Sequence, residues 1–293
     1  MIITKTKGGS ALAFRKSGIR FVVFLSAVFL TLSLLTSGCE SPKKTPESGR
    51  TDISGSIKEA GSTSVLPLAE SLALEFMKLH KDVRVETGGG GSGAGVKQCV
   101  AGTVDVGAIS RDLKLTESDL ISYPVARDAI AVIVNPGNPI NNLKADDVAR
   151  IYSGEVTDWS QIGGKSGRII LFAREEGSGT RDTFDSIVMR QKKITPDALL
   201  RNSNGEVQAA VSQDATAIGF VSLGYVYGIK ILEINGTKCS FENCQNGSYP
   251  LVRRLFFITK GIPNETVTEF INFARSDAGQ KIAEKMGFVP LVY

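Results

Sequence analysis

Arg174-Glu175-Glu176-Gly177-Ser178-Gly179-Thr180-Arg181 follows an apolar run at residues 169–172 and leads into a segment where Phe184, Ile187 and Val188 recur at helical spacing. It reads as a strand, a glycine-containing turn and the start of a helix. Such a turn offers an anion Ser/Thr hydroxyls together with the free backbone N–H groups of a helix start. Arg174 adds a planar cationic fork that can grip two oxygens at once. Two turns of similar composition precede it, Gly61-Ser62-Thr63-Ser64 and Gly91-Ser92-Gly93-Ala94-Gly95. Ser and Thr are also favoured helix caps, so one such turn says little. Three in one chain, with an arginine, point to an oxyanion enclosed by protein.

Working outward, the order strand, turn, helix repeats from residue 52. Ile53, Gly55 and Ile57 alternate, and residues 65–80 carry Leu68, Leu72 and Phe76 at helical spacing, with Pro67 in the first turn, where its missing N–H is tolerated. Val83 and Val85 mark a second strand, a helix is expected over 94–101, and a third strand over 104–109 ends at Ser110-Arg111. This alternation implies an α/β fold with a largely parallel sheet, whose ligands bind beyond the carboxyl ends of the strands. Thr63, Ser92 and Ser110 all fall at such ends. The apolar run 129–134, stopped by Asn135-Pro136-Gly137-Asn138-Pro139, suits a crossing into a second lobe. Further helices are expected at 146–152, 207–211, 267–275 and 278–286, and further strands at 169–172, 217–221 and 255–258.

The 293 residues, 42% of them apolar, suffice for a large core divided between two domains. Residues 1–38 hold Lys5, Lys7, Arg15, Lys16 and Arg20 without an acid, then an apolar run at 21–35 and the small residues before Cys39. That is the layout of a signal peptide, and the run is shorter than the ~20 residues a membrane span needs. A cysteine directly after the small residues resembles a bacterial lipobox, with Cys39 as the lipidated first residue of the mature chain. Residues 39–51 then form a tether rich in Pro, Lys and Ser. Cleavage removes five basic residues and takes the +4 chain to −1, which argues against a nucleic-acid partner. In an exported protein Cys239 and Cys244 are expected to close a short disulfide loop. His80 is the lone histidine, so neither a metal site nor a base for a nucleophilic serine is expected.

Taken in order, these segments resemble the phosphate-binding proteins of bacterial phosphate ABC transporters. The resemblance runs from residue 53 to the C-terminus through Gly61-Ser62-Thr63-Ser64-Val65-Leu66-Pro67, Gly91-Ser92-Gly93-Ala94-Gly95-Val96-Lys97-Gln98, Thr103-Val104-Asp105-Val106-Gly107, Ile151-Tyr152-Ser153-Gly154-Glu155, the Arg174 motif and Ala217-Ile218-Gly219-Phe220. It implies a two-lobed periplasmic-binding-protein fold of type II, two α/β lobes joined by a two-strand hinge. One lobe would comprise 52–131 and 249–293, the other 132–248. Inorganic phosphate would lie between them, on Thr63, Ser64, Ser92, Ser110, Arg174, Ser178, Gly179 and Thr180. Glu176 would orient Arg174, and Arg111 would supply a second cation or pair with Glu176. A permease partner, a lipid-held extracytoplasmic location, a monomeric state and the absence of enzymatic activity and of cofactors follow from the same resemblance.

One position departs from the family's pattern: Ser110 stands where better-known members carry an aspartate that accepts the ligand's proton, and Arg111 follows it. Other tetrahedral oxyanions such as sulfate, molybdate or tungstate are the alternative ligands, and a hydrolase using Ser178 is the alternative class. Gly88 to Gly93 contain G-x-G-x-x-G, but no suitably placed ribose-binding acid accompanies it, and no Lys-Ser or Lys-Thr follows to make a P-loop.

Overall fold

The computed structural model describes residues 53–291; the signal segment, the tether and Cys39 lie outside them. In chain order the elements are β1 (Gly55–Gly61), α1 (Leu66–Leu79), β2 (Val83–Gly88), α2 (Ser92–Ala101), β3 (Val106–Ile109), β4 (Leu120–Val134), β5 (Asn142–Leu143), α3 (Ala145–Tyr152), β6 (Ile170–Arg174), α4 (Gly179–Phe184), β7 (Leu199–Arg201), α5 (Asn204–Gln213), β8 (Ala217–Ser222), β9 (Lys230–Ile231), β10 (Glu233–Ile234), α6 (Phe241–Gln245), β11 (Val252–Lys260), α7 (Glu265–Arg275) and α8 (Asp277–Lys285).

The main sheet runs β2-β1-β3-β11-β4-β8-β6-β7, with β9 also on β4. β1 pairs in parallel with β2 and β3, and β6 in parallel with β7 and β8. These two parallel blocks are the βα repeats anticipated from sequence. The middle of the sheet is antiparallel. β4 pairs with β11 from Leu120 to Ala129 and with β8 from Ile130 to Val134, so one strand serves both blocks. The passage from one block to the other therefore falls between Ala129 and Ile130, inside β4. The first half of β4 was hidden by Pro124, which lacks a ladder N–H; a register shift between Leu255 and Phe256 of β11 accompanies it.

Each block has its own core. In the first, α1 buries Leu68, Leu72 and Phe76 at the spacing of one helix face, against Ile57, Phe257 and Phe270. In the second, Phe184 stacks on Phe220 at 4.0 Å and Tyr152 meets both rings edge-on. Trp159 is a packing residue there, its Nε1 donating to Thr216 O at 2.9 Å. At Gly61, the last residue of β1, a Cβ would lie 2.2 Å from Ala108 O, so only glycine lets β1 reach β3 and deliver the Ser62-Thr63-Ser64 turn to the strand ends.

Two expectations need correction. Cys239 and Cys244 are free thiols, not a disulfide. The segment after Cys239 folds as α6, which contains Cys244 and is capped by Ser240 Oγ accepting from Asn243 N at 3.2 Å. The helix after Thr180 is also shorter than its apolar spacing suggests, passing at Asp185 into a π-helical turn over Asp185–Met189.

Glu59 of β1 is 2% exposed, and neither carboxylate oxygen has a hydrogen-bond partner. Burial pushes its pKa to about 8; the approach of the Gly88 N–H opposes this without reaching hydrogen-bond geometry, and Glu70 adds to it. The folded chain thus keeps a proton between 4.5 and about 8 that the unfolded chain has lost, so unfolding free energy falls as pH rises through that window. At about 1.4 kcal/mol per tenfold change the full effect is of order 5 kcal/mol. Urea titrations of the native protein should show this loss levelling off above about pH 8, and Glu59→Gln should remove it; a parallel decline in the variant would place its origin elsewhere.

Candidate functional site

The three hydroxyl turns meet. Ser62-Thr63-Ser64 precede α1, Ser92 is the first residue of α2, and Ser110 follows β3, all on the first block. From the second block Ser178 caps α4, its Oγ accepting from Arg181 N at 3.3 Å, and Gly179 and Thr180 form the first turn. Ser64 Oγ lies 2.9 Å from Thr180 Oγ1. Thr63, Ser64, Ser92, Ser110, Arg174, Ser178 and Thr180 are all buried, Thr63 the most exposed at 7%.

Polar ties close the two blocks over one another. Asn204 Nδ2 donates to Thr63 Oγ1 and Ser64 Oγ at 3.0 Å each, Tyr225 OH donates to Thr63 O at 2.9 Å, and Gly93 N donates to Gly177 O at 2.8 Å. A Cβ on Gly179 would lie 2.3 Å from Ser92 Oγ and 2.6 Å from Ser110 Oγ, so the absence of a side chain there is what permits the approach.

Two buried guanidiniums serve the cluster. Arg174, 1% exposed, donates from Nε and Nη2 to Glu175 at 2.8 Å each, and to Arg201 O and Asn202 O. Its acid is therefore Glu175 and not Glu176, which is exposed on the outer side of the turn. Arg253 of β11 was not anticipated. It donates from Nε and Nη2 to Asp128 at 3.0 and 2.7 Å, from Nη2 to Ser64 Oγ at 2.8 Å, and from Nη1 to Thr180 Oγ1 at 3.0 Å and Ser110 Oγ at 3.3 Å. Burial lowers its pKa, Asp128 acts against that, and the like charge of Arg174 pushes it lower still. Burial and nearby Glu70 and Tyr227 raise the Tyr225 hydroxyl to about 12, while Arg174 pulls it down. Arg253 and Tyr225 thus both feel the Arg174 charge.

Arg111 does neither of the things expected of it. It holds Glu117 with two bonds of 2.8 Å and Asp182 at 2.8 Å, and makes no bond to Glu176. It lines a cavity of about 480 Å³ beside Arg253, with Arg127 and Arg254. The residues that sequence reasoning missed are Arg253, Asp128, Asn204 and Tyr225. Only Asp128 gave a signal, as the one acid in the stretch 125–134, where Arg127 is the only other charged residue.

A two-block α/β molecule whose strand ends enclose buried hydroxyls and guanidiniums is a substrate-binding protein for an anion. Residues 46–278 match the family model described as a PBP superfamily domain. A crystal structure from Clostridium perfringens, described as a putative phosphate ABC transporter substrate-binding protein with bound phosphate, is 33% identical, with a TM-score of 0.79 over 81% of this chain and 100% of that one. An ABC-type phosphate transport receptor from Vibrio cholerae is 31% identical, with a TM-score of 0.68 over 80% of this chain and 100% of that one. The phosphate-binding protein PstS of Bacillus subtilis is 27% identical over 94% of this chain and 95% of its own length. The chain belongs to the PBP superfamily and, within it, to the family of phosphate-binding proteins of ABC transporters.

Gly179→Ala should force the blocks apart, since the added methyl group meets Ser92 and Ser110. Solution scattering should give a larger radius of gyration than the native protein at an unchanged far-ultraviolet circular dichroism spectrum; superimposable scattering curves would mean that the contact is not what brings the blocks together.

Proposed function

We propose that this protein captures inorganic phosphate in the cleft between its lobes and delivers it to the permease of an ABC transporter, without chemical turnover. The observation that carries the reading is the sealed cluster itself, six hydroxyls and two guanidiniums drawn from both lobes and shut away from water. An anion that gives up its hydration needs donors on several sides, and these residues supply them. The relative from Clostridium perfringens, with phosphate bound, adds support. Thr63, Ser64, Ser92, Ser110, Arg174, Ser178, Gly179 and Thr180 are the proposed contacts, with Arg253 as a second cation. The lobes are taken as 52–131 with 249–293, and 132–248. The chain acts as a monomer outside the cytoplasmic membrane, held there by lipid on Cys39.

A sealed cluster has to open to load. Closure makes contacts that the open form lacks, so bound anion shifts the population toward the closed form. That gives a permease a way to tell loaded protein from empty. A hydrolase reading finds no support at Ser178, whose hydroxyl accepts from Arg181 N and has no base beside it, while His80 packs against Phe76 at 4.5 Å. Among the described residues no cluster of His, Cys, Asp and Glu could hold a metal ion.

Titration calorimetry on phosphate-freed protein should give one site of micromolar or tighter affinity, about −8 kcal/mol or better. Arg174→Ala should cost about 2–5 kcal/mol, more than Ser178→Ala, because a buried anion loses a positive charge rather than one hydroxyl. Equal losses would misplace Arg174, and no heat with phosphate would overturn the reading.

A further inference from the structure

All six hydroxyls of the cluster accept a hydrogen bond from a nitrogen that cannot reverse the bond. Asn204 Nδ2 donates to Thr63 and Ser64, Arg253 donates to Ser64, Ser110 and Thr180, Ser110 N donates to Ser92 at 3.1 Å, and Arg181 N donates to Ser178. The orientation of Asn204 is fixed independently, because its Oδ1 accepts from Ser222 N at 3.1 Å. Ser64 Oγ has both lone pairs filled by Arg253 and Asn204, so its proton goes to Thr180 Oγ1. Thr180 Oγ1, already accepting from Arg253, is then filled too, and its own proton is free for an anion. Ser92 Oγ and Ser110 Oγ lie 3.4 Å apart, so one of that pair can donate to the other; fixed donors behind Thr63, Ser178, Thr180 and the remaining member of the pair leave those protons for the ligand.

The nearby carboxylates are turned away. Asp128 accepts from Arg253 and from Leu223 N, both oxygens of Glu175 accept from Arg174, Asp182 faces Arg111 and Lys114, and Glu176 is exposed. A carboxylate can only accept, so one facing the ligand demands a proton on it and repels an anion without one. Ser110 makes no such demand, since a hydroxyl facing an unprotonated oxygen can turn and donate.

We propose that this is a donor-only site that takes fully ionised tetrahedral dianions, so that it binds dibasic phosphate in preference to monobasic phosphate and admits sulfate as a competitor. Ser110 is the residue that sets this specificity; Arg253 and Asn204 are positioning residues that act through the hydroxyls. The inference rests on the phosphate-binding reading for its first ligand, while the sulfate part stands on the hydrogen-bond pattern alone.

The test is calorimetric titration of the native protein with phosphate and, separately, with sulfate, from pH 6 to 8.5, followed by the same titrations of Ser110→Asp. Phosphate affinity should rise as phosphate loses its second proton and then level off, whereas sulfate, a dianion throughout, reports any change in the protein itself. That control covers Glu59, which titrates near the upper end of the range, and Arg174, Arg253, Asp128, Glu175 and Tyr225, the charged and titratable groups around the cluster. Native affinities for sulfate and dibasic phosphate should agree within about tenfold, and Ser110→Asp should weaken sulfate at least a hundredfold more than phosphate. Phosphate binding that a thousandfold excess of sulfate leaves untouched would overturn the donor-only site and leave the transport reading standing. Sulfate binding without phosphate binding at any pH would overturn the dibasic-phosphate preference together with the transport reading and leave only the sulfate part standing; binding of neither overturns all three.

Discussion

The buried Asp128–Arg253 ion pair organises the cleft. Burying two charges is costly unless the geometry is good and the remaining donors are satisfied, and here they are. Asp128 Oδ2 accepts from both Nε and Nη2 along one edge of the guanidinium, Oδ1 accepts from Leu223 N, and the other N–H groups of Arg253 reach Ser64, Ser110 and Thr180. The pair lies on β4 and β11, the strands that join the two parallel blocks. The cluster's buried cation and its acid therefore stand on the two antiparallel strands at the middle of the sheet.

The balance of charge follows from this arrangement. Arg253 is matched by Asp128 and Arg174 by Glu175, so the cluster offers an anion oriented donors without a large net field. Residues 39–293, with a net charge of −1, offer no long-range attraction either. Binding strength must come from short hydrogen bonds in a site shielded from water, where such bonds are worth most. The seal is made by small contacts, above all the bare backbone of Gly179 against Ser92 and Ser110, and contacts of that kind separate without disturbing either core.

The hydroxyl turns were legible in the sequence because each is local: a strand end, a few small residues and a helix start lie within ten residues of one another. Arg174 was legible for the same reason. Arg253 was not, since its partners lie far off in the chain: Asp128 is 125 residues away and Ser64 is 189. Asn204 lies ahead of the helix expected over 207–211, and nothing in its neighbours singled it out. The family resemblance pointed to Glu176 as the partner of Arg174, and the turn overrules it in favour of Glu175: Ser178 N is bonded back to Glu175 O and Gly177 has a φ of 86°, which leaves Glu176 outside. Arg111 looked like a site cation because of its place beside Ser110, but Glu117 and Asp182 claim it.

The central claim is positional: an anion enters the hydroxyl cluster and is held there by both lobes. The most direct measurement is a crystal structure of the mature chain with arsenate, a tetrahedral oxyanion whose arsenic is visible by anomalous scattering. The account predicts one arsenic peak with its oxygens in hydrogen-bond reach of Arg174, Ser92 and Thr180. A peak in the neighbouring cavity lined by Arg111, Arg127 and Arg254, with none in the cluster, would contradict it.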